Sequence, residues 1–146
     1  KGDCAPLKAA RIEWNKEILF ALPDKLRQAQ QVFKHTGGLH ASALFSVDGR
    51  LIGYKEDVGR HNALDKLIGS RLMEGNNNFE QMILVLSGRI SFELVQKALR
   101  AGISTIAAVG APSSLAVELA EEFGMTLIGF LKADRFNVYS GREELL

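Results

Sequence analysis

The fold of this 146-residue chain is decided at residues 39–54, which read LHASALFSVDGRLIGY. Apolar residues recur at every second position from Leu39 to Val47, and this period of two predicts a β-strand. Asp48-Gly49 is a strong signal for a hairpin turn, so residues 50–54 are predicted to return as a second strand. The chain therefore starts its sheet with an antiparallel pair.

Strand and helix patterns alternate after this hairpin. Short apolar runs predict buried strands, and stretches with helical spacing that end at glycine predict helices. In chain order these are helix 58–72, strand 82–86, helix 91–100, strand 103–109, a helix capped at 111–114 that runs to Phe123, strand 126–131 and an edge strand at 135–139. A hairpin followed by such alternation predicts one α/β domain, a three-layer mixed sheet with helices on both faces.

Upstream of the hairpin, Pro23 suits the first turn of a helix that Gly37-Gly38 ends. Residues 1–22 show no clean period, so we expect an arm or linker there and a single domain at 23–146. Lys1 is not an initiator methionine, and we expect the chain to be a piece of a longer protein.

Composition excludes several classes of protein. Hydrophobic residues make up 47% and charged residues 24%, as in ordinary globular proteins. The net charge of +1, without a long basic run, argues against a general nucleic-acid binder. No apolar run has the length of a membrane span, and we expect no signal peptide. Cys4 is the only cysteine, which excludes an internal disulfide and fits a cytoplasmic protein.

Polar residues crowd the junction at residues 56–66, which read EDVGRHNALDK. The first turn of a helix has N–H groups without partners and attracts anions. Asp57, His61 and Asp65 follow at intervals of four and are predicted to line one helical face. The pattern fits a site for a phosphorylated ligand, and it equally fits a helix start capped by Asp57 with two surface salt bridges.

Two further strand-to-helix junctions carry polar residues, at 87–91 and at 111–114. Gly88 would let a ligand approach the backbone, and Arg89 offers a fork for phosphate. The alternative is a tight turn with an exposed arginine. Because ligands of open α/β sheets bind beyond the carboxyl ends of strands, the three junctions predict one shared pocket.

The residues at 35–40 admit two interpretations as well. Thr36-Gly37-Gly38-Leu39-His40 is either a helix end followed by a strand with one histidine, or it places His40 at the pocket mouth. His35 lies at a helix end, where the dipole favours a positive imidazole, and is interpreted as structural.

The pattern of elements invites comparison with zinc-dependent nucleoside deaminases. Those enzymes carry His-x-Glu at the start of one helix and Pro-Cys-x-x-Cys at the start of the next. Here the first position reads His61-Asn62-Ala63, and the second position, residues 87–91, contains no cysteine. One histidine without thiolates does not hold catalytic zinc, so we expect a deaminase-like scaffold without deamination and without a metal site.

Five ordered blocks resemble the FdhD family of formate dehydrogenase accessory proteins, described as sulfurtransferases. The resemblance runs from about Leu22 to the end, at residues 36–40, 56–66, 87–97, 111–116 and 129–139. It implies a cytidine-deaminase-like fold and a homodimer. It also implies sulfur transfer, as a cysteine persulfide, from a cysteine desulfurase to the bis-guanine-dinucleotide molybdenum cofactor before that cofactor enters the formate dehydrogenase catalytic subunit. A binding-only chaperone of the same cofactor, without sulfur chemistry, is the alternative.

The family carries its sulfur on a Cys-Gly-x-Cys-Gly motif that this sequence lacks. We expect that motif upstream of Lys1. Cys4 stands in no Cys-Gly context, so no catalytic residue is assigned and Cys4 is kept only as a candidate.

A guanine nucleotide pocket is predicted at the strand ends. The resemblance implies the stretch Phe130, Leu131, Lys132, Ala133, Asp134 and Arg135; the junctions contribute Arg89, Ser87, Gly88, His61, Arg60, Asp57, His40, Ser113 and Ser114. Arg89 and Arg135 could fork onto phosphate, and Lys132 would add a point charge.

Several assignments in and around this pocket have alternatives. Phe130 or Phe136 could stack on a purine, or Phe130 could be core while Arg135 pairs with a surface acid. Because Asp57 and Asp65 would repel phosphate, we expect them to orient Arg60, His61 or Lys66, or to accept from guanine N–H groups. Support for a dimer comes from the apolar residues Phe92, Leu94 and Val95, whose alternative place is the core.

Overall fold

The computed structural model describes residues 15–33, 39–75, 78–79 and 81–141. The helices and strands in these ranges follow the predicted order. They are α1 Lys16–Phe33, β1 His40–Ser46, β2 Leu51–Asp57, α2 Arg60–Met73, β3 Met82–Leu86, α3 Phe92–Ala101, β4 Thr105–Ala108, α4 Ser114–Phe123, β5 Thr126–Gly129 and β6 Asn137–Ser140.

One mixed sheet joins all six of these strands in the order β2-β1-β3-β4-β5-β6. β3, β4 and β5 run parallel, while β1, β2 and β6 pair antiparallel with their neighbours. The hairpin turn is closed by a hydrogen bond of 2.9 Å from the Gly49 N–H to the Ser46 carbonyl. The predictions of a hairpin and of a last edge strand are confirmed.

Apolar residues on opposite faces of the sheet form two clusters. One cluster packs α2, α3 and α4 against sheet residues such as Leu84 and Ile106. The other packs α1 against the opposite face, at residues such as Phe45 and Val85. The predicted three-layer α/β architecture is therefore correct. Within the described ranges, no helix is long and apolar enough to cross a lipid bilayer.

The predicted start of the first helix at Pro23 is wrong. α1 begins at Lys16, and the side chain of Asn15 caps it by accepting from the Glu17 N–H at 2.9 Å. Leu19 and Leu22 are fully buried and extend the apolar stripe of Leu26 by two turns. Burial of this stripe outweighs the cost of a proline inside the helix. Residues 16–22 of the predicted arm thus belong to α1, while residues 1–14 lie outside the described residues.

The predicted helical face of Asp57, His61 and Asp65 needs a correction as well. Asp57 is the last residue of β2, which is longer than predicted because Asp57 pairs with His40 of β1. α2 starts at Arg60 with Gly59 as its N-cap, so Asp57 is not the cap residue. Only His61 and Asp65 are four residues apart within the helix.

Candidate functional site

The sheet brings the three predicted junctions to one edge. β3, β4 and β5 are parallel, so the loops that follow them leave the sheet on the same side. β1 runs antiparallel to β3, which places His40 at that edge beside Asp57. We call this the junction edge and define it by the loops 57–60, 87–91, 109–113 and 130–136, together with His40.

Backbone hydrogen bonds tie the loops of the junction edge to one another. The Gly110 N–H donates to the Gly88 carbonyl at 3.2 Å, and the Phe130 N–H donates to the Gly110 carbonyl at 3.1 Å. The Ile90 N–H donates to the Ala111 carbonyl at 3.1 Å, and the Ser113 N–H donates to the Ile90 carbonyl at 3.0 Å. The loops after β3, β4 and β5 therefore form one continuous rim.

Two glycines allow this close approach. A Cβ atom on Gly110 would lie 2.9 Å from the Gly88 oxygen and 3.1 Å from the Arg89 Cα, both backbone atoms that cannot move aside easily. A Cβ atom on Gly88 would lie 3.4 Å from His40 Nδ1. Gly110 was absent from the predicted pocket, although its position directly after β4 resembles that of Gly88 after β3.

Ser87 anchors the first strand to this rim. Its N–H donates to the Ala41 carbonyl at 3.1 Å, and its Oγ accepts from the Ala41 N–H at 2.9 Å. The hydroxyl hydrogen of Ser87 is not used in that contact and can be donated to a ligand. Ser87 and Gly88 therefore lie next to the start of β1, which brings His40 to the junction edge; its place at a pocket mouth stays a prediction.

At the start of α2, both acids are engaged in ion pairs. The Gly59 N–H donates to Asp57 Oδ1 at 3.0 Å, and Lys66 Nζ lies 2.6 Å from Asp57 Oδ2. The Gly59 hydrogen bond first, and Lys66 second, hold the pKa of Asp57 below its usual value. Asp65 pairs with Lys97 Nζ at 2.9 Å. Asp57 therefore orients Lys66, which is one of the expected alternatives. Asp65 pairs with Lys97 and orients none of Arg60, His61 and Lys66.

Several hydrogen-bond donors at the start of α2 lack acceptors within the described residues. No side chain caps α2, so its first-turn N–H groups have no side-chain acceptor. The Nε atom of Arg60 is buried and has no hydrogen-bond partner within the described residues. Surface salt bridges account for Asp57 and Asp65, but they leave these donors unexplained.

Phe130 has an unusual backbone. Its φ of +50° is the only positive value at a non-glycine position in the described ranges. A bulky residue rarely adopts this conformation, and such strain concentrates at functional sites. The side chain is 43% exposed, so the alternative that placed Phe130 in the core is wrong.

The neighbours of Phe130 divide between core and solvent. Leu131 is buried on the α1 side, so within the predicted stretch only its backbone could face a ligand. Lys132, Ala133, Asp134 and Arg135 are exposed, in a turn closed by a 2.9 Å bond from the Lys132 N–H to the Arg135 carbonyl. Phe136 packs on Phe20 with ring centroids 5.5 Å apart, which leaves Phe130 as the aromatic ring for stacking.

The start of α4 completes the edge. Ser113 Oγ accepts from the Ala116 N–H at 3.1 Å, which confirms the predicted cap, and Ser114 is exposed. Arg89 and Arg135 are exposed and form no ion pair within the described residues. The junction edge therefore carries two exposed arginines, one exposed lysine and one exposed aromatic ring.

The residues that would hold zinc in a deaminase are arranged differently here. Ala63 is fully buried. Across the part of the chain that the structure describes, no three of His, Cys, Asp and Glu come together as a possible metal site. The expectation that the chain binds no zinc stays a prediction, which elemental analysis of the purified chain would test.

A family model matches nearly the whole chain. The model describes the FdhD/NarQ family and covers residues 2–146. This chain belongs to the FdhD/NarQ family. The resemblance to this family is thus confirmed.

Curated members of the family are close in sequence and about twice as long. The sulfur carrier protein FdhD of Streptomyces avermitilis is 57% identical over 129 residues, which cover 88% of this chain and 46% of that protein. Proteins of the same name from Nocardia farcinica and Sulfurisphaera tokodaii are 54% identical over 140 residues and 50% identical over 132 residues. The alignments cover 96% and 90% of this chain and 50% and 52% of the relatives, so the chain spans about half of their length.

Solved structures agree with this assignment. A crystal structure described as a formate dehydrogenase accessory protein from Desulfotalea psychrophila matches with a TM-score of 0.83 and 33% identity, covering 98% of this chain and 60% of that one. A guanine deaminase from Nitrosomonas europaea matches with a TM-score of 0.56 and 14% identity, covering 90% and 84%. The second likeness supports the cytidine-deaminase-like fold and nothing further.

Proposed function

We propose that this chain is the cofactor-binding part of a sulfur-carrier accessory protein for formate dehydrogenase. The observation that supports this most is the junction edge, where three loops join backbone to backbone beneath exposed arginines and a strained aromatic residue. The names of the family's curated members support the sulfur-carrier role.

The substrate held at this edge would be the bis-guanine-dinucleotide molybdenum cofactor. Arg89 and Arg135 have the planar forks that suit phosphate oxygens, and neither is used in an ion pair with a described residue. The uncapped start of α2 offers N–H groups and the unpartnered Arg60 Nε as further donors. Phe130 would stack on the guanine ring.

The full reaction, as we propose it, needs two protein partners. A cysteine desulfurase would supply the sulfur as a cysteine persulfide, and the formate dehydrogenase catalytic subunit would receive the sulfurated cofactor. The accessory protein would act as a homodimer in the cytoplasm. Of the apolar residues first considered for its interface, Leu94 and Val95 are buried in the core, while Phe92 is partly buried.

Calorimetric titration of GDP tests the binding site. We expect Arg89→Ala and Arg135→Ala each to weaken GDP binding by about 1.5–3 kcal/mol, or roughly 10- to 150-fold, the usual range for a charged hydrogen bond. Arg100→Ala is the matched control, since Arg100 is also exposed but lies in the last turn of α3, away from the junction edge. Equal affinity in all forms, or ADP binding as tight as GDP binding, would contradict the site.

Sulfur transfer is tested separately. A thiolate is the nucleophile of persulfide chemistry, and Cys4, the only thiol of the 146-residue chain, lies outside the family motif. We therefore expect this chain not to restore formate dehydrogenase activity in cells that lack the accessory protein. Full rescue would make Cys4 the carrier or favour the binding-only chaperone, and detection of a persulfide on Cys4 would decide between these two.

A further inference from the structure

The regular alternation of side chains along β5 ends at Phe130. Within β5, Leu127 packs in the cluster between the sheet and α2, α3 and α4, and Ile128 packs in the cluster between the sheet and α1. Because side chains alternate along a strand, a continued strand would turn Phe130 towards α1 and Leu131 towards the other face. Instead, Leu131 is buried in the α1 cluster and Phe130 is 43% exposed. The chain is therefore rotated at Phe130, which leaves Leu131 in the core and the aromatic ring at the surface.

The backbone conformation of Phe130 produces this rotation. Its φ of +50° lies in the left-handed region, where a residue with a Cβ atom is strained. Glycine adopts the same conformation without that strain. A glycine at this position would allow the same rotation of the chain and the same burial of Leu131. Burial of the core therefore does not explain why a large aromatic side chain occupies residue 130.

Two hydrogen bonds to β4 and the loop after it hold Phe130 in this conformation. The Phe130 N–H donates to the Gly110 carbonyl at 3.1 Å, and the Leu131 N–H donates to the Ala108 carbonyl at 2.9 Å. The planar peptide groups on both sides of the Phe130 Cα are thus fixed, and their orientations set its φ and ψ angles. The strain is therefore maintained by the surrounding rim.

Gly129 is confined just before the strained residue. A Cβ atom on Gly129 would lie 2.8 Å from Cε2 of Tyr139 in β6 and 2.9 Å from Cδ of Pro112. Both distances are well below ordinary contact distances between carbon atoms, so a side chain at residue 129 would have to displace a ring. The backbone that enters Phe130 is therefore wedged between two rings, and the rotation is built into the packed rim.

The exposed ring of Phe130 adds a second cost to the strain. Its surface keeps apolar area in contact with water, although burial of that area would stabilise the chain. Backbone strain that the surrounding structure maintains is typical of ligand-binding positions. Nucleotide bases stack on exposed aromatic rings, because each base has a π-face. The ring therefore suits the base of a nucleotide that binds at the junction edge.

We propose that the strained backbone of Phe130 is a positioning device, which holds the ring out of the core as a fixed platform for a nucleotide base and lowers the stability of the fold. Because the platform is set before the ligand arrives, little freedom is lost on binding. The inference rests on the nucleotide site of the proposed function. It adds that, at this residue, a feature that serves binding destabilises the chain.

Melting temperatures of a matched pair of variants test the strain. Phe130→Ala and Phe130→Gly both remove the ring and differ by one methyl group. We expect the Tm of Phe130→Gly to be about 2–4 °C above that of Phe130→Ala, since glycine is unstrained at positive φ. Ala133→Gly is the control, because Ala133 is exposed in the same turn and its φ is not positive. There the glycine variant should melt no higher than the wild-type chain, which is the usual order.

Calorimetric titration with two ligands tests the platform. Phe130→Ala should weaken GDP binding by about 5- to 150-fold, the usual effect of removing a stacked ring, and Phe130→Tyr should retain the affinity. Inorganic pyrophosphate has phosphate groups but no base. It should bind equally to the wild-type chain and to Phe130→Ala, whereas Arg135→Ala should weaken both ligands. A merely structural role of Phe130 would weaken GDP and pyrophosphate alike.

The possible results are distinguishable. If Phe130→Gly melts no higher than Phe130→Ala, the backbone of Phe130 is not strained and the inference is wrong. If Phe130→Ala binds GDP as tightly as the wild-type chain, or loses GDP and pyrophosphate equally, the ring is no platform for a base, and the proposed phosphate site stands without it. A wild-type chain that binds no GDP would overturn the nucleotide site of the proposed function itself, and this inference with it.

Discussion

The two ends of α2 lie at surfaces that differ in how tightly they are bound together. At its start, the loops of the junction edge are bound to one another through the backbone, and their exposed side chains include Arg89, Lys132 and Arg135 beside the apolar Val58 and Phe130. At its end, a groove of about 410 Å³ lies between residues 52–55 of β2 and the last turn of α2, and Met73 in its lining is 90% exposed. A rim that backbone hydrogen bonds preorganise and that carries arginine and lysine side chains suits a small charged ligand, whereas the groove has no such hydrogen bonds across it among the described residues. The difference indicates that the junction edge, and not the groove, is the preorganised surface of the described residues.

Of the substitutions considered, Gly110→Ala should have the largest effect, because it would remove the close packing of the junction edge. The new Cβ atom would meet the backbone of Gly88 and Arg89 at 2.9–3.1 Å, and the rim would have to open. We expect a loss of about 1–3 kcal/mol in the free energy of unfolding, as for an overpacked site, and weaker GDP binding. Urea denaturation and calorimetry measure the two effects.

Gly69→Ala is the matched control for that change. Gly69 lies inside α2, and a Cβ atom there would meet no neighbouring atom within 4 Å. We expect this substitution to stabilise the chain by about 0.5–1 kcal/mol, because alanine is the better helix former, and to leave GDP affinity unchanged. Equal stability of the two variants would show that the rim is not tightly packed.

The next largest effect, about 1 kcal/mol in the free energy of unfolding, is expected at two helix N-caps. Ser91 Oγ accepts from the Leu94 N–H at 3.2 Å, and Ser113 Oγ accepts from the Ala116 N–H at 3.1 Å. Either serine replaced by alanine should cost about 1 kcal/mol of stability, a typical value for an N-cap. Only Ser113→Ala should also weaken GDP binding. If both variants, or neither, lost affinity, Ser113 would have no specific place in the site.

The smallest effect concerns Asp57 and pH. Because the Gly59 N–H and Lys66 hold its pKa below the usual value, the ionised carboxylate stabilises the fold above about pH 4. That stabilisation is lost as the pH falls through the lowered pKa, where protonation ends both interactions. Asp57→Asn should therefore lower Tm by a constant amount near neutral pH, and the difference should vanish in acid.

Asp134→Asn is the control for this pH dependence. Asp134 is exposed and makes no hydrogen bond or ion pair within the described residues. The Tm of the Asp134→Asn variant should equal that of the wild-type chain at every pH. A Tm difference for Asp57→Asn that persists below pH 2 would point to a cause other than its charge.

Much of the fold could be predicted because its signals are local. The hairpin at Asp48-Gly49, the cap at Ser113 and the helix ends at Gly102 and Gly124 each depend on residues within a few positions of one another. The alternation of strands and helices then restricted the architecture to a three-layer sheet. The sequence by itself thus determined the order of the elements and the sheet edge at which a site could form.

Only the tertiary structure decided the features that depend on contacts between residues far apart in the sequence. Leu19 and Leu22 extend α1 past Pro23 because the sheet buries them, and Asp57 joins β2 because His40 is there to pair with it. Gly110 matters only since folding brings it against Gly88. Phe130 and Phe136 are alike in sequence, but Phe20 covers one and leaves the other at the surface. Contacts between residues far apart in the chain have no local pattern, so the geometry of the site could be known only from the folded molecule.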